Sequence, residues 1–189
     1  MPTTPNRGYP YPAETDPGSA NLAAGLEALA DAIDTDMQAL YDSLTSRPLA
    51  IVTATIGQDI PNGGSPGTLT EVVYDRVDFD NAGMVNLSTA SSRITPTKPG
   101  LYLIYGSAML PKPTSNTTAY DAFIRQTGAD FGRTLYRGTA LSAPRVTASG
   151  LALFDGHSDY VTFTLSQTSG ATVQANTARM MAMRVASLP

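Results

Sequence analysis

Residues 160–166 read Tyr-Val-Thr-Phe-Thr-Leu-Ser, and apolar side chains alternate strictly with polar ones along this stretch. Successive side chains of a β-strand point to opposite sides, so Val161, Phe163 and Leu165 share one face of the extended chain. The stretch therefore predicts a β-strand with one buried face.

Strand-like runs continue on both sides of this stretch, from Leu49 to the end of the chain. Turn-forming residues separate them, most densely in residues 61–67, Pro-Asn-Gly-Gly-Ser-Pro-Gly. The other six runs are residues 49–56, 70–77, 100–110, 120–126, 145–154 and 179–185. Seven strands without a helical period between them predict a mainly β fold, an antiparallel two-sheet sandwich rather than a parallel α/β domain.

The pattern before Leu49 is helical. Pro48 ends it, because the residue before a proline avoids helical geometry. One narrow apolar stripe recurs at intervals of four and three residues: Leu22, Leu26, Leu29, Ile33, Met37, Leu40 and Leu44. Two eleven-residue blocks of this kind are typical of a straight or slightly right-handed helix bundle. We expect residues 19–47 to form a coiled-coil stalk with copies of themselves; the alternative is a helix that covers the sheet of its own domain.

Residues 1–18 hold five prolines, which exclude a helix or an inner strand. A polyproline-like backbone keeps aromatic side chains extended, so this segment is predicted to dock as an arm in a groove of a partner. The residues expected to dock are Pro5, Tyr9, Pro10, Tyr11 and Pro12. A disordered tail is the alternative. The predicted domains are the arm, residues 1–18, the stalk, residues 19–47, and a β-sandwich knob, residues 48–189.

Charge and hydropathy argue against nucleic-acid and membrane partners. Residues 1–48 carry a net charge of −5 and the remainder +1, and only 15% of all residues are charged. Nucleic-acid binding needs a basic surface, so we expect no nucleic-acid partner. No run of 18 apolar residues exists, so we expect no membrane insertion. The first 30 residues show no secretory signal, which disfavours a secreted binding module.

The sequence offers few of the residues that catalytic sites need. The chain has no cysteine and one histidine, His157, so we expect no catalytic site, cofactor or metal. Residues 156–159, Gly-His-Ser-Asp, contain the residue types of a hydrolase triad, but neighbours on a turn point apart. Residues 63–67 match the Gly-x-Ser-x-Gly pattern of a nucleophile elbow. That elbow joins a strand to a helix, and no helical pattern follows here. We therefore expect a protein that is not an enzyme.

Three aspartates lie close together in the sequence. Asp75, Asp78 and Asp80 offer oxygen ligands of the kind that calcium prefers. The alternative is that turn hydrogen bonds, or ion pairs with Arg76 and Arg93, satisfy them. The sequence leaves both open.

The polar section from Pro111 to Arg145 carries aromatic residues beside arginines, a combination suited to stacking on sugars or anchoring protein contacts. The candidate surface-binding residues are Tyr120, Arg125, Phe131, Arg133, Tyr136 and Arg137. The alternative is that they fill a seam between subunits. Met180, Met181 and Met183 are expected in the core of the sandwich.

Four stretches after Leu49 carry a resemblance to a known family. Residues 74–84, Tyr-Asp-Arg-Val-Asp-Phe-Asp-Asn-Ala-Gly-Met, followed by residues 92–104, Ser-Arg-Ile-Thr-Pro-Thr-Lys-Pro-Gly-Leu-Tyr-Leu-Ile, resemble the C1q/TNF-like jelly roll, with its acidic turn before a Pro-Gly-x-Tyr strand. Residues 156–164 are similar to the family's Gly-Asp-x-Val strand, although Ser158-Asp159 replaces the usual Gly-Asp pair. Residues 181–185 stand where the last strand closes the sheet. The resemblance spans residues 70–185 and implies a jelly-roll sandwich.

The first 34 residues carry a second resemblance. Residues 3–12, Thr-Thr-Pro-Asn-Arg-Gly-Tyr-Pro-Tyr-Pro, and residues 28–34, Ala-Leu-Ala-Asp-Ala-Ile-Asp, are similar to the start of virion proteins of phages infecting actinobacteria, usually called minor tail or fibre proteins. This resemblance implies a homotrimer located in the virion. Its arm would bind other virion proteins, its stalk would be a three-helix bundle, and its knob would contact a host-surface glycan or protein. The alternatives are a head-decoration trimer and an enzyme that degrades surface glycans.

Overall fold

The computed structural model describes residues 19–45, 47–63, 68–113, 115, 118–137 and 142–187. The chain divides into two compact units, residues 1–47 and residues 48–189. The predicted arm, with Pro5, Tyr9, Pro10, Tyr11 and Pro12, lies outside the described residues.

The first unit contains helix α1, Ser19–Thr45. Alanine and leucine dominate it, and both favour helical geometry. Leu26, Met37 and Leu40 of the predicted stripe are more than half exposed, and Ile33 is 42% exposed. Leu29 is half-buried, and the side chains of Leu22 and Leu44 are outside the description. The described stripe is therefore largely open to solvent in the single chain. Among the described residues, no helix has both the length and the apolar character needed to cross a membrane.

The second unit is built from strands. Their bounds are β1 Leu49–Ala54, β2 Gln58–Ile60, β3 Thr70–Glu71, β4 Arg76–Asp80, β5 Arg93–Ile94, β6 Gly100–Met109, β7 Ala119–Gln126, β8 Ala129–Arg137, β9 Arg145–Phe154, β10 Val161–Gln167, β11 Val173–Ala175 and β12 Thr177–Ser187. The first sheet has the order β4-β1-β12-β6-β9. The second sheet has the order β3-β10-β7-β8, with β5 also paired to β10, and β11 pairs with β2. Every pair of these strands is antiparallel, which confirms the predicted mainly β, antiparallel fold.

The core lies between the two large sheets. Along β6, Tyr102 and Ile104 point inward and are fully buried, as are Ile124 of β7 and Phe163 of β10. Gly106 lies directly against Phe163, since a Cβ atom added to that glycine would come within 2.4 Å of the phenyl ring. The two sheets therefore pack closely at this point, because a residue without a side chain faces a large aromatic one.

The predicted strand over residues 70–77 is wrong in its middle. The chain leaves the second sheet after β3 and joins the first sheet at β4. Between them Tyr74 is buried, and its backbone N–H donates to the carbonyl of Ser91. The stretch alternates like a strand because its apolar residues enter the core while the chain crosses between sheets.

The expectation of one buried face for β10 is also wrong, because all seven of its residues are buried. Thr164 lies beside Phe123 of β7, and Thr162 lies beside Arg93 of β5. These longer neighbours cover the short threonine side chains on the outer face. Strand β8 was not predicted; it follows the turn at Thr127 and Gly128, both with positive φ.

Candidate functional site

The first sheet has an open face, which we define as its side directed away from the second sheet. Alternate residues of its strands point there, because the residues between them enter the core. In the paired register, Leu49, Met183, Leu103 and Leu151 form one row across four strands. A second row contains Phe79, Ile51, Met181 and Tyr105, and Leu101 pairs with Leu153 beside the first row. These ten side chains form the apolar patch.

The apolar patch is accessible to solvent. Leu151 and Leu153 are 58% and 55% exposed, Phe79 is 46% exposed, and Tyr105 is also exposed. Single exposed leucines are common, whereas a contiguous apolar area that crosses five strands marks an interaction surface. Burial of such side chains contributes about 25 cal/mol for each Å² of apolar area removed from water. The patch is therefore the candidate functional site of the second unit.

The methionines near the end of the chain divide between the core and this patch. Met180 is fully buried, but Met181 and Met183 are only half-buried and lie on the open face. The expectation that all three fill the core is wrong for Met181 and Met183. Residues 181 and 183 face away from residue 180 because side chains alternate along a strand.

The open face becomes polar next to the second row. Arg76 pairs with Thr53, Thr53 with Arg179, and Arg179 with Ser107. Asp78 accepts hydrogen bonds from Thr53 Oγ1 at 2.6 Å and from Arg76 Nε at 2.6 Å. These two contacts lower the pKa of Asp78, so its carboxylate stays charged. Together with Arg145, these residues form the polar end of the open face.

The predicted surface-binding set does not form one surface. Tyr120 is 1% exposed and stacks on Tyr136 with ring centroids 6.4 Å apart, so its assignment to the surface was wrong. Its hydroxyl donates to the carbonyl of Pro111 at 3.0 Å, and burial raises its pKa. Phe131 is half-buried and lies next to Gly150 of β9. The aromatic members therefore belong to the packing of the sandwich.

Arg125 and Arg133 of that set lie on the outer face of the second sheet. Arg125 pairs with Asp130 at 2.7 Å. Arg133 pairs with Asp121 at 3.0 Å and covers the ring of Phe123. The side chain of Arg137 is outside the described part. Tyr120 and Tyr136 pack against the core while Arg125 and Arg133 face outward, and Phe131 lies at the irregularity where the register of β7 and β8 shifts. Proximity in the sequence does not show these directions.

The structure does not bring the three aspartates together. Asp75 accepts hydrogen bonds from Thr55 and from the backbone N–H of Ile56, which lower its pKa. Asp80 accepts from the backbone N–H groups of residues 82, 84 and 85. Turn hydrogen bonds thus satisfy Asp80 alone, whereas the segment after β1 satisfies Asp75, and Thr53, Arg76 and Arg179 satisfy Asp78. Arg93, the other expected partner, lies instead over the ring of Tyr160.

The turn at residues 155–159 is organised around Asp155. Its carboxylate accepts the Ser158 hydroxyl at 2.7 Å and the backbone N–H groups of His157, Ser158 and Asp159. These hydrogen bonds hold the pKa of Asp155 far below its ordinary value. The Ser158 hydroxyl is directed to this carboxylate, which gives it a role in the turn.

Comparison with known proteins identifies the fold of the second unit. No protein-family model matches the chain. No curated protein matches it either. Among solved structures, the globular domain of zebrafish complement 1qA protein is similar at 12% identity, with a TM-score of 0.51 over 75% of this chain and 99% of that one. The PRD1 vertex protein P5 is similar at 20% identity, with a TM-score of 0.54 over 73% of this chain and 96% of that one.

The second unit has a jelly-roll fold like that of the C1q globular domain. The fold implied by the resemblance of residues 70–185 is therefore confirmed. The resemblance of the first 34 residues to virion proteins of actinobacterial phages has no matching curated relative and stays a prediction.

Proposed function

We propose that this chain is a structural protein of a bacteriophage virion, a homotrimeric fibre or spike without enzymatic activity. Residues 1–18 attach it to other virion proteins, α1 forms the stalk, and the jelly roll is the knob that contacts the host surface. The apolar patch carries this proposal, because it is a large surface that copies of the same chain would cover.

Self-association accounts for both exposed apolar surfaces at once. Gly25 in the interior of α1 costs about 1 kcal/mol relative to alanine, and packing of the apolar face supplies most of the stability of helices in proteins, so the exposed stripe favours a partner. A cyclic arrangement covers the same surface in every copy. The same oligomer would bury the stripe and the apolar patch. The number three comes from the resemblance of the N-terminal segment to phage virion proteins.

The likeness to the PRD1 vertex protein supports a place in the virion, since that phage protein has the same fold. It also favours a second candidate, a trimer that decorates the capsid, because a vertex is part of the head. Arm, stalk and knob serve equally well in either place. Immunogold imaging of assembled particles with antibody against the knob would distinguish tail from head.

Host contact is tested with the full chain. Fluorescently labelled protein should bind susceptible cells, saturate, and compete with infection. Binding to no envelope fraction, together with label on the head of the particle, would replace host contact by capsid decoration. Release of soluble glycan fragments from cells treated with purified protein would instead indicate a depolymerase.

A further inference from the structure

The polar end of the open face encloses a cleft of about 290 Å³. Arg76, Arg145 and Arg179 line it from strands β4, β9 and β12, together with Thr53 and Asp78. Three guanidinium groups thus share one cleft with a single carboxylate. The entire sequence after residue 48 has a net charge of only +1, so two excess positive charges at one place are a local concentration.

Asp78 neutralises one of the three arginines and no more. Its two oxygens are already occupied, one by Arg76 Nε at 2.6 Å and the other by Arg179 Nη2 at 3.2 Å and Thr53 Oγ1 at 2.6 Å. The arginine side chains are 59% and 53% exposed. Most of their N–H donors therefore remain directed to solvent, because a guanidinium group has five.

Arg145 has no carboxylate partner among the described residues. Its single described contact is a hydrogen bond from Nη1 to Ser107 Oγ at 3.3 Å. That contact holds the side chain across the open face, in the direction of Arg179, which pairs with Ser107 in the sheet. A cation fixed by a neutral hydroxyl keeps its full charge available to a ligand.

We propose that this cleft binds an oxyanion, a phosphate or sulfate group. Planar guanidinium groups recognise tetrahedral oxyanions with paired, charge-assisted hydrogen bonds, and three of them converge here. The same group occurs free in solution and on charged surface polymers, and both sources present the same oxygens. The inference goes beyond the proposed function, and all three arginines come from one copy of the chain. Because the cleft adjoins the apolar patch on the same open face, the inference requires that the cleft stays accessible at the edge of that surface when copies associate.

The test uses the full-length chain at constant ionic strength. Pyrophosphate is titrated as a free anion, and dextran sulfate as a polymer, with unsubstituted dextran as the neutral reference. We expect saturable binding of at least one charged probe and no binding of dextran. Arg145→Gln should weaken binding about tenfold, the usual effect of losing a hydrogen bond to a charged group. Lys98→Gln, which removes one exposed positive charge elsewhere, should bind like the wild type.

The melting temperature without ligand shows whether Arg145→Gln is as stable as the wild type. If it is, weaker binding by the variant can be assigned to the lost guanidinium group. Arg145 donates only to Ser107 among the described residues, so Arg145→Gln should melt within about 2 °C of the wild type. Binding of pyrophosphate would assign the site to free anions, and binding of dextran sulfate alone would assign it to polymer-borne groups. Equal affinities of Arg145→Gln and Lys98→Gln, or no saturable binding of either charged probe, would overturn the proposal.

Discussion

Gly106 and Phe163 show how one residue sets the distance between the sheets. A methyl group at position 106 would overlap the ring of Phe163, at 2.4 Å. Gly106→Ala should destabilise the sandwich by about 1–3 kcal/mol, the usual cost of overpacking, and lower its melting temperature by about 3–10 °C. Thermal unfolding followed by circular dichroism measures this.

The double variant Gly106→Ala with Phe163→Leu provides the control. Loss of the ring removes the atoms with which the new methyl group collides, so the two substitutions should cost less together than the sum of each alone. Additive losses would show that the contact does not limit the packing.

Asp155 makes stability depend on pH. Its pKa is lowered in the folded chain, so the carboxylate stabilises the fold above its ordinary pKa of about 4, and this contribution is lost as pH falls. Asp155→Asn should therefore melt below the wild type at pH 7, and the difference should narrow below about pH 4. Melting curves from pH 7 to pH 2 measure the effect. A difference that stays constant over that range would rule out the carboxylate as its cause.

At the scale of elements, the stripe of α1 makes the sharpest prediction. Ile33→Asp and Met37→Asp place charges in the proposed seam of the stalk, where an unpaired charge costs at least about 2 kcal/mol. The oligomer should then dissociate at a higher concentration than the wild type. Thr35→Asp is the matched control, since residue 35 lies on the opposite side of the helix. Sedimentation velocity over a dilution series provides the comparison, and similar behaviour of all three variants would remove the stripe from the interface.

Strands β9 and β10 show which features of the fold can be predicted from the sequence and which cannot. β9 has the predicted bounds, Arg145–Phe154, because the alternation in its first half and the turn residues on either side are local signals. Burial of both faces of β10 depends on Phe123 and Arg93, which lie far away in the sequence. No local pattern contains that information.

The apolar patch was not predicted from the sequence, for a different reason. Residues 101–105, Leu-Tyr-Leu-Ile-Tyr, are apolar on both faces of β6, which is the pattern of a strand covered on both sides. That signal was present, but only the register of five strands shows that these residues join Met181 and Leu151 in one surface. The polar cleft likewise combines arginines from three separate strands.

At the scale of the whole molecule, the arm and the rest of the chain should have separate roles. Deletion of residues 2–18 should leave folding and oligomeric state intact while it abolishes incorporation into particles, because the deletion removes docking contacts and no core residue. Particle composition after complementation with the truncated chain measures this. Tyr9→Ala with Tyr11→Ala should reproduce part of the defect, since each docked aromatic ring contributes roughly 2 kcal/mol. Normal incorporation of the truncated chain would transfer attachment to the stalk or the knob.

Copies of this chain should associate through the stripe and the apolar patch. Sedimentation equilibrium of the full chain at micromolar concentration tests it most directly, with Leu151→Lys in the patch and Leu135→Lys as the matched control on the second sheet, where Leu135 is also exposed. We expect about three times the mass of one chain for the wild type and for Leu135→Lys, and a smaller species for Leu151→Lys. A wild-type monomer, or equal masses for the two variants, would contradict it.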